Sequence, residues 1–98
     1  MNLGQTIKSI RKQRNYTQEQ FASACLITQT YLSQIENNLK DPNLSVLKTI
    51  AEKLSVPLPI LFFLSLNEAD VQPEKRELFK DIDPLVKRVI DELFQIQE

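Results

Sequence analysis

The sequence predicts an all-α protein on three observations. Its 98 residues contain a single glycine, Gly4. Apolar residues recur at intervals of three and four rather than in strict alternation. Hydroxyl and amide residues stand just ahead of several of these stripes, where helix N-caps belong.

In chain order, residues 2–14 form the first expected helix, with Leu3, Ile7 and Ile10 on one face. Asn15-Tyr16 breaks the pattern. Thr17 then caps a second helix, and Gln20 three residues on completes a capping box. Phe21, Ala22 and Cys25 face inward there. After the connector Leu26-Ile27, Thr28 caps a third helix running from Gln29 to Asn37, with Leu32 and Ile35 inside. Asn38 suits a left-handed stop. Residues 39–43 make a loop punctuated by Pro42. Asn43 or Ser45 opens a fourth helix striped with Leu47, Ile50, Ala51 and Leu54. Pro57 ends that connection, and Pro59 sits in the first turn of a fifth helix over 58–66, where a missing N–H does no harm. That segment is apolar except for Pro59 and Ser65. Residues 67–73 are polar and contain proline, so they read as a linker. A short helix is expected over 74–81. Asp83-Pro84, a cap followed by a first-turn proline, then opens a last helix to about Gln95. Ile82, Val86, Val89, Leu93 and Ile96 repeat there as a heptad-like seam, widened by Leu85, Ile90 and Phe94. Two units follow: residues 1–66 and a helical extension, 67–98.

Composition removes several function classes. One cysteine, Cys25, allows no internal disulfide, and with no histidine a zinc site lacks ligands. No carboxylate pair, phosphate loop or nucleophile elbow stands at a catalytic spacing, so no enzyme activity, metal or cofactor is expected. The apolar run 58–66 is far shorter than the roughly 20 residues that span a bilayer. No apolar stretch follows the N-terminal bases as a signal peptide requires. A cytoplasmic protein with no membrane partner is the expectation. Net charge is −1, but it is unevenly spread: residues 1–40 hold five bases against two acids, and residues 41–98 hold seven against eleven. A basic N-terminal face is compatible with a polyanionic partner.

Two short helices joined by about four residues within a helical domain make a helix-turn-helix over residues 17–37. Thr17-Gln-Glu-Gln-Phe-Ala, then Ile27-Thr-Gln-Thr-Tyr-Leu-Ser-Gln-Ile-Glu36-Asn-Asn, resembles the Cro and phage-repressor type of helix-turn-helix family. Lys40-Asp-Pro42-Asn-Leu-Ser-Val-Leu-Lys-Thr-Ile-Ala-Glu-Lys-Leu-Ser-Val-Pro resembles its fourth helix and the following turn. The likeness covers residues 3–66 without a gap. It implies a five-helix, lambda-repressor-like domain that binds double-stranded DNA, here with an added C-terminal helical segment. It also implies an ion pair between Arg11 and Glu36 that joins the first helix to the end of the third, and a phosphate contact at Gln18.

With Leu32 and Ile35 inward, Thr30, Ser33, Gln34 and Asn37 point outward and Gln29 stands at the exposed N-terminal end. Gln29, Thr30, Ser33 and Gln34 are therefore the candidate base contacts; a glutamine amide can donate and accept together against adenine. Gln18, at a helix N-terminus, is a candidate phosphate contact, as are Tyr31, Asn37 and Lys40. Lys12 and Arg14 read as surface bases, either solvated or in contact with phosphate, the solvated reading being preferred. Three departures from the family pattern stand out, one being Cys25 where a core leucine is common, which reads as a small buried hydrophobe. Leu26 occupies the turn position where glycine is usual, and strain in a left-handed leucine predicts a different turn path. Ser55 replaces glycine after the fourth helix.

One such domain covers half a site, so a homodimer is expected. Leu58, Leu61, Phe62, Val86, Val89 and Leu93 are the candidate dimer contacts. The leading functional expectation is a repressor on a palindromic operator, a restriction–modification controller being one form of it. The alternative is an antitoxin-like protein that autoregulates its operon and holds a protein partner through residues 67–98.

Overall fold

Side-chain caps decide where four of the helices begin. In the computed structural model, which describes residues 1–97, Asn2, Thr17, Thr28 and Asn43 each accept a hydrogen bond from a first-turn amide. The helices that follow are α1 (Leu3–Gln13), α2 (Gln18–Ala24), α3 (Gln29–Glu36) and α4 (Leu44–Leu54). Thr17 and Gln20 form both halves of the expected capping box. α5 (Leu58–Ser65) has no side-chain cap and starts instead on the Pro57 and Pro59 geometry. Two 3-10 turns, Glu68–Asp70 and Pro73–Lys75, lead into α6 (Arg76–Phe94). No strand occurs among the described residues, so the all-α expectation holds.

The core is built by all six helical segments. Ile7 and Ile10 of α1, Phe21 of α2, Leu32 and Ile35 of α3, Ile50 and Leu54 of α4 and Leu61 of α5 are essentially removed from solvent. Ile90 of α6 and Ile96 beyond it join the same cluster. Burying such apolar side chains is worth roughly 1.5–3 kcal/mol each.

Gly4 explains how closely α1 approaches α3. A Cβ there would lie 2.4 Å from the Ile35 carbonyl oxygen and 2.6 Å from that of Glu36. The space is fastened by Asn38, whose Oδ1 accepts from the Gly4 amide at 3.0 Å while its Nδ2 donates to Asn2 at 2.8 Å. Asn38 is the expected left-handed stop, at φ 59°, and it also ties the end of α3 to the start of α1.

Three expectations need correction. Leu26 does adopt the left-handed conformation, at φ 59°. Its side chain is 92% exposed and meets no packing obstacle. Hydrogen bonds from Leu26 to Ser23 and from Ile27 to Ala22 hold the turn against an intrinsic cost of about 1–2 kcal/mol. Next, no helix restarts at Asp83: α6 runs unbroken through Pro84, an exposed position where losing one backbone bond is tolerable. Asp83 instead pairs with Lys87 one turn on, at 3.1 Å. Finally, Arg14 is not a solvated base. It donates to Leu54, Gln95 and Phe94 carbonyls at 2.9, 2.8 and 2.6 Å.

The apolar seam of α6 divides between two directions. Ile90 is buried and Val86 half-buried against the core, whereas Leu78, Ile82, Leu85, Val89 and Leu93 are 43–68% exposed. The stripe is wider than one contact face, so only its inner edge finds a partner within the chain.

Candidate nucleic-acid interface

A buried ion pair anchors the outward face of the helix-turn-helix. Arg11 Nε donates to Glu36 Oε2 at 2.7 Å and a second guanidinium nitrogen donates to Oε1 at 3.1 Å. Both side chains are at least 94% removed from solvent. The third branch of Arg11 donates to the Tyr16 carbonyl at 2.9 Å. This satisfied, forked pair is the one implied by the family resemblance, and its rigid geometry suits a positioning role.

The pair extends outward as a relay. Gln18 Nε2 donates to Glu36 Oε1 at 3.1 Å, which leaves its Oε1 free to accept from Gln29 Nε2 at 3.4 Å. Gln29 is exposed, so the chain of bonds passes from the interior to the surface. Its own Oε1 receives no hydrogen bond among the described residues and stays open as an acceptor. The fork of Arg11, through Glu36 and Gln18, thus restricts an otherwise freely rotating amide.

Gln18, Gln29, Thr30, Ser33 and Gln34 line one shallow depression. The structure therefore brings together all four candidate base contacts and the first candidate phosphate contact. Thr28 caps α3 through the Tyr31 amide at 3.0 Å and presents the N-terminal turn of α3 beside this depression. Asn37 and Lys40 stand exposed at the opposite end of α3. Asn37 Nδ2 donates to the Ser33 carbonyl at 2.9 Å, and its second N–H, 3.4 Å from the Ser33 hydroxyl, is the less committed donor. Tyr31 is half-buried and packs against the core.

Among the candidate dimer contacts, Leu61 is fully buried and Leu58, Phe62 and Val86 are half-buried within the chain's own core; Val89 and Leu93 are exposed. Sequence reasoning missed the outward Leu78, which extends the exposed side of the seam that already held Ile82 and Leu85. A helical wheel phased on Ile90, instead of on the heptad, would have found it. It also missed the bond from Gln18 to Glu36. Cys25 is buried, and desolvation pushes its thiol up to about 11, with Lys53 pulling weakly the other way. A neutral, enclosed thiol of this kind is a packing group. Among the described residues no cluster of metal-ligating side chains gathers, and no helix is long and apolar enough to cross a membrane.

Comparison with known proteins agrees with the helix-turn-helix fold that carries this face. A family profile described as helix-turn-helix matches residues 7–61. An immunity repressor protein of Bacillus phage phi105 is 30% identical over 95 residues, spanning 85% of this chain and 66% of its own length. The crystal structure of the biofilm master regulator SinR in complex with DNA superposes with a TM-score of 0.59 at 33% identity, covering 61% of this chain and 97% of that one. A SinR/SinI protein complex gives a TM-score of 0.61 at 26% identity and covers 93% of both chains.

Proposed function

The chain belongs to the helix-turn-helix family whose profile it matches over residues 7–61, and from that premise we propose that it is a cytoplasmic, sequence-specific DNA-binding repressor acting as a homodimer. The observation that carries this reading is the row of amide and hydroxyl side chains on α3, backed by the Arg11–Glu36 pair. Preorganised donors and acceptors on a rigid helix are what reading base edges requires. Similarity to a phage immunity repressor and to SinR solved on DNA supports it.

In this reading Gln29 makes the bidentate contact with adenine, Thr30 offers its methyl to thymine, and Gln34 and Ser33 extend the readout. Gln18, held by Glu36, takes a phosphate at the start of α2. Asn37 and Lys40 take a second beyond α3, and Tyr31 can add its hydroxyl at the edge of the core. Occupying a promoter requires no further machinery, which favours repression. The apolar outer face of α6 supplies the dimer contact, with Val89 and Leu93 joined by Leu78, Ile82 and Leu85. A second reading, that residues 67–98 hold a different protein, is favoured by the same face and by the likeness to the SinR/SinI complex.

Selection of bound duplexes from a random pool tests the proposal. An inverted-repeat consensus with half-sites about one helical turn apart is expected. Failure to enrich any sequence would refute DNA readout, and enrichment of an isolated half-site would refute the homodimer.

A further inference from the structure

Two helix C-termini converge on a side chain that is itself carried by the end of a third helix. Arg14 is itself the C-terminal cap of α1. Its Nε donates to the carbonyl of Leu54, the last residue of α4, at 2.9 Å. Its two terminal nitrogens donate to Gln95, the left-handed cap of α6, at 2.8 Å and to Phe94 at 2.6 Å. Each helix end carries about half a negative charge and orphaned carbonyls. A planar guanidinium answers both needs at once, whereas an ammonium cannot reach three carbonyls in a fixed fork.

A second clasp lies beside it. Gln13 Nε2 donates to the Gln97 carbonyl at 2.7 Å, and the Gln97 amide donates back to Gln13 Oε1 at 2.8 Å. Between these bonds Ile96 is 99% buried in the core. The opposite end of α6 is fastened differently: Arg76 donates to the Glu68 and Val71 carbonyls, which belong to the connecting turns and not to the five-helix head. Those turns reach the head through the Met1 ammonium, 2.7 Å from Asp70, whereas α6 itself is joined to the head by side-chain hydrogen bonds at its C-terminal end.

We propose that Arg14 and Gln13 are positioning residues for operator spacing: by latching residues 94–97 to α1 and α4, they fix α6 relative to the recognition helix and so fix the separation of two recognition helices in a dimer. The proposal rests on the homodimeric DNA-binding reading above. With the latch closed, the path from one α3 through the paired α6 helices to the other α3 is stiff. A change in half-site spacing then has to be met by strain in protein or DNA. With the latch open, α6 pivots and absorbs the change.

The test uses the full chain and the duplexes it selects, rebuilt with one base pair inserted or removed between the half-sites. For the wild type, affinity should fall roughly tenfold or more on either change, since a one-base-pair step also rotates one half-site around the duplex. Arg14→Ala should fall by no more than about threefold, with binding to an isolated half-site unchanged. Arg14→Lys keeps the charge but loses the fork, so it should relax spacing as Arg14→Ala does. Gln13→Ala, a milder change, should relax it partially. A spacing profile like the wild type's in Arg14→Ala and Gln13→Ala would overturn the proposal, as would full restoration by Arg14→Lys. Amide hydrogen exchange on the free protein supplies a DNA-independent arm. Exchange over 90–97 should quicken in Arg14→Ala while α1 to α4 stay protected; uniform quickening, or none, would refute the latch. If the wild type selects no duplex, the functional reading fails and the exchange comparison alone decides the latch.

Discussion

The head, α1 to α5, and the C-terminal helix α6 solve opposite surface problems. On the head the apolar residues turn inward and the outward face of α3 shows amides and hydroxyls, oriented by a buried ion pair. On α6 only Ile90 is fully enclosed, while five large aliphatic side chains face solvent. A polar face with fixed hydrogen-bonding atoms suits a hydrated, patterned partner such as a DNA groove. A continuous apolar stripe suits another apolar surface. Two neighbouring regions of one short chain are therefore fitted to two different kinds of contact.

The sharpest contrast is in packing. Ile35→Ala should lower unfolding free energy by about 3 kcal/mol in urea denaturation, because it opens a cavity in the head where α1 and α3 meet. Leu85→Ala on the exposed α6 face should change the stability of the monomer by no more than about 0.5 kcal/mol. Similar losses at both sites would dissolve the distinction.

Glu36→Ala should be of comparable size, about 3 kcal/mol, since it strands the Arg11 guanidinium in the interior. Replacing both partners together, Arg11→Met with Glu36→Leu, should recover much of that stability in the same denaturation experiment. DNA affinity should stay low in the double variant, because Gln18 and Gln29 lose the group that orients them. Recovery of both properties would show that the pair only stabilises.

A charge on the tail acts elsewhere. Leu85→Lys should weaken self-association at least about tenfold in sedimentation equilibrium, by placing an ammonium in an apolar contact, and leave the monomer folded. Unchanged association would move the dimer contact off this face. A modest gain is expected in the turn: Leu26→Gly should raise thermal stability by about 1 kcal/mol, since the exposed leucine contributes no packing and its left-handed strain is relieved.

How much of this was legible in the sequence follows the same division. In the head, caps and periodic stripes act over one or two turns, so Thr17, Thr28, Leu32 and Ile35 announced their places. The candidate contacts Gln18, Gln29, Thr30, Ser33 and Gln34 followed from wheel geometry and the family resemblance. What stayed hidden depends on long-range contacts. Gly4 matters because of two carbonyls more than thirty residues away, and Arg14 because of the ends of α4 and α6. The turn at Leu26 misled because local strain was weighed without the hydrogen bonds that impose it. In α6 the heptad seam blurred two faces, since periodicity alone does not say which edge of a wide stripe meets the core.

The central claim is that the amides of α3 read bases while flanking groups hold the backbone. It is tested most directly by measuring affinity of Gln29→Ala and Lys40→Ala against salt, on the selected duplex and on single-base variants of it. Gln29→Ala should lose about 1–3 kcal/mol of discrimination at one base pair and keep the wild-type salt slope. Lys40→Ala should weaken all duplexes alike and reduce the slope by about one. If Gln29→Ala discriminates every base pair as well as the wild type does, α3 is not the reading element and the account is contradicted.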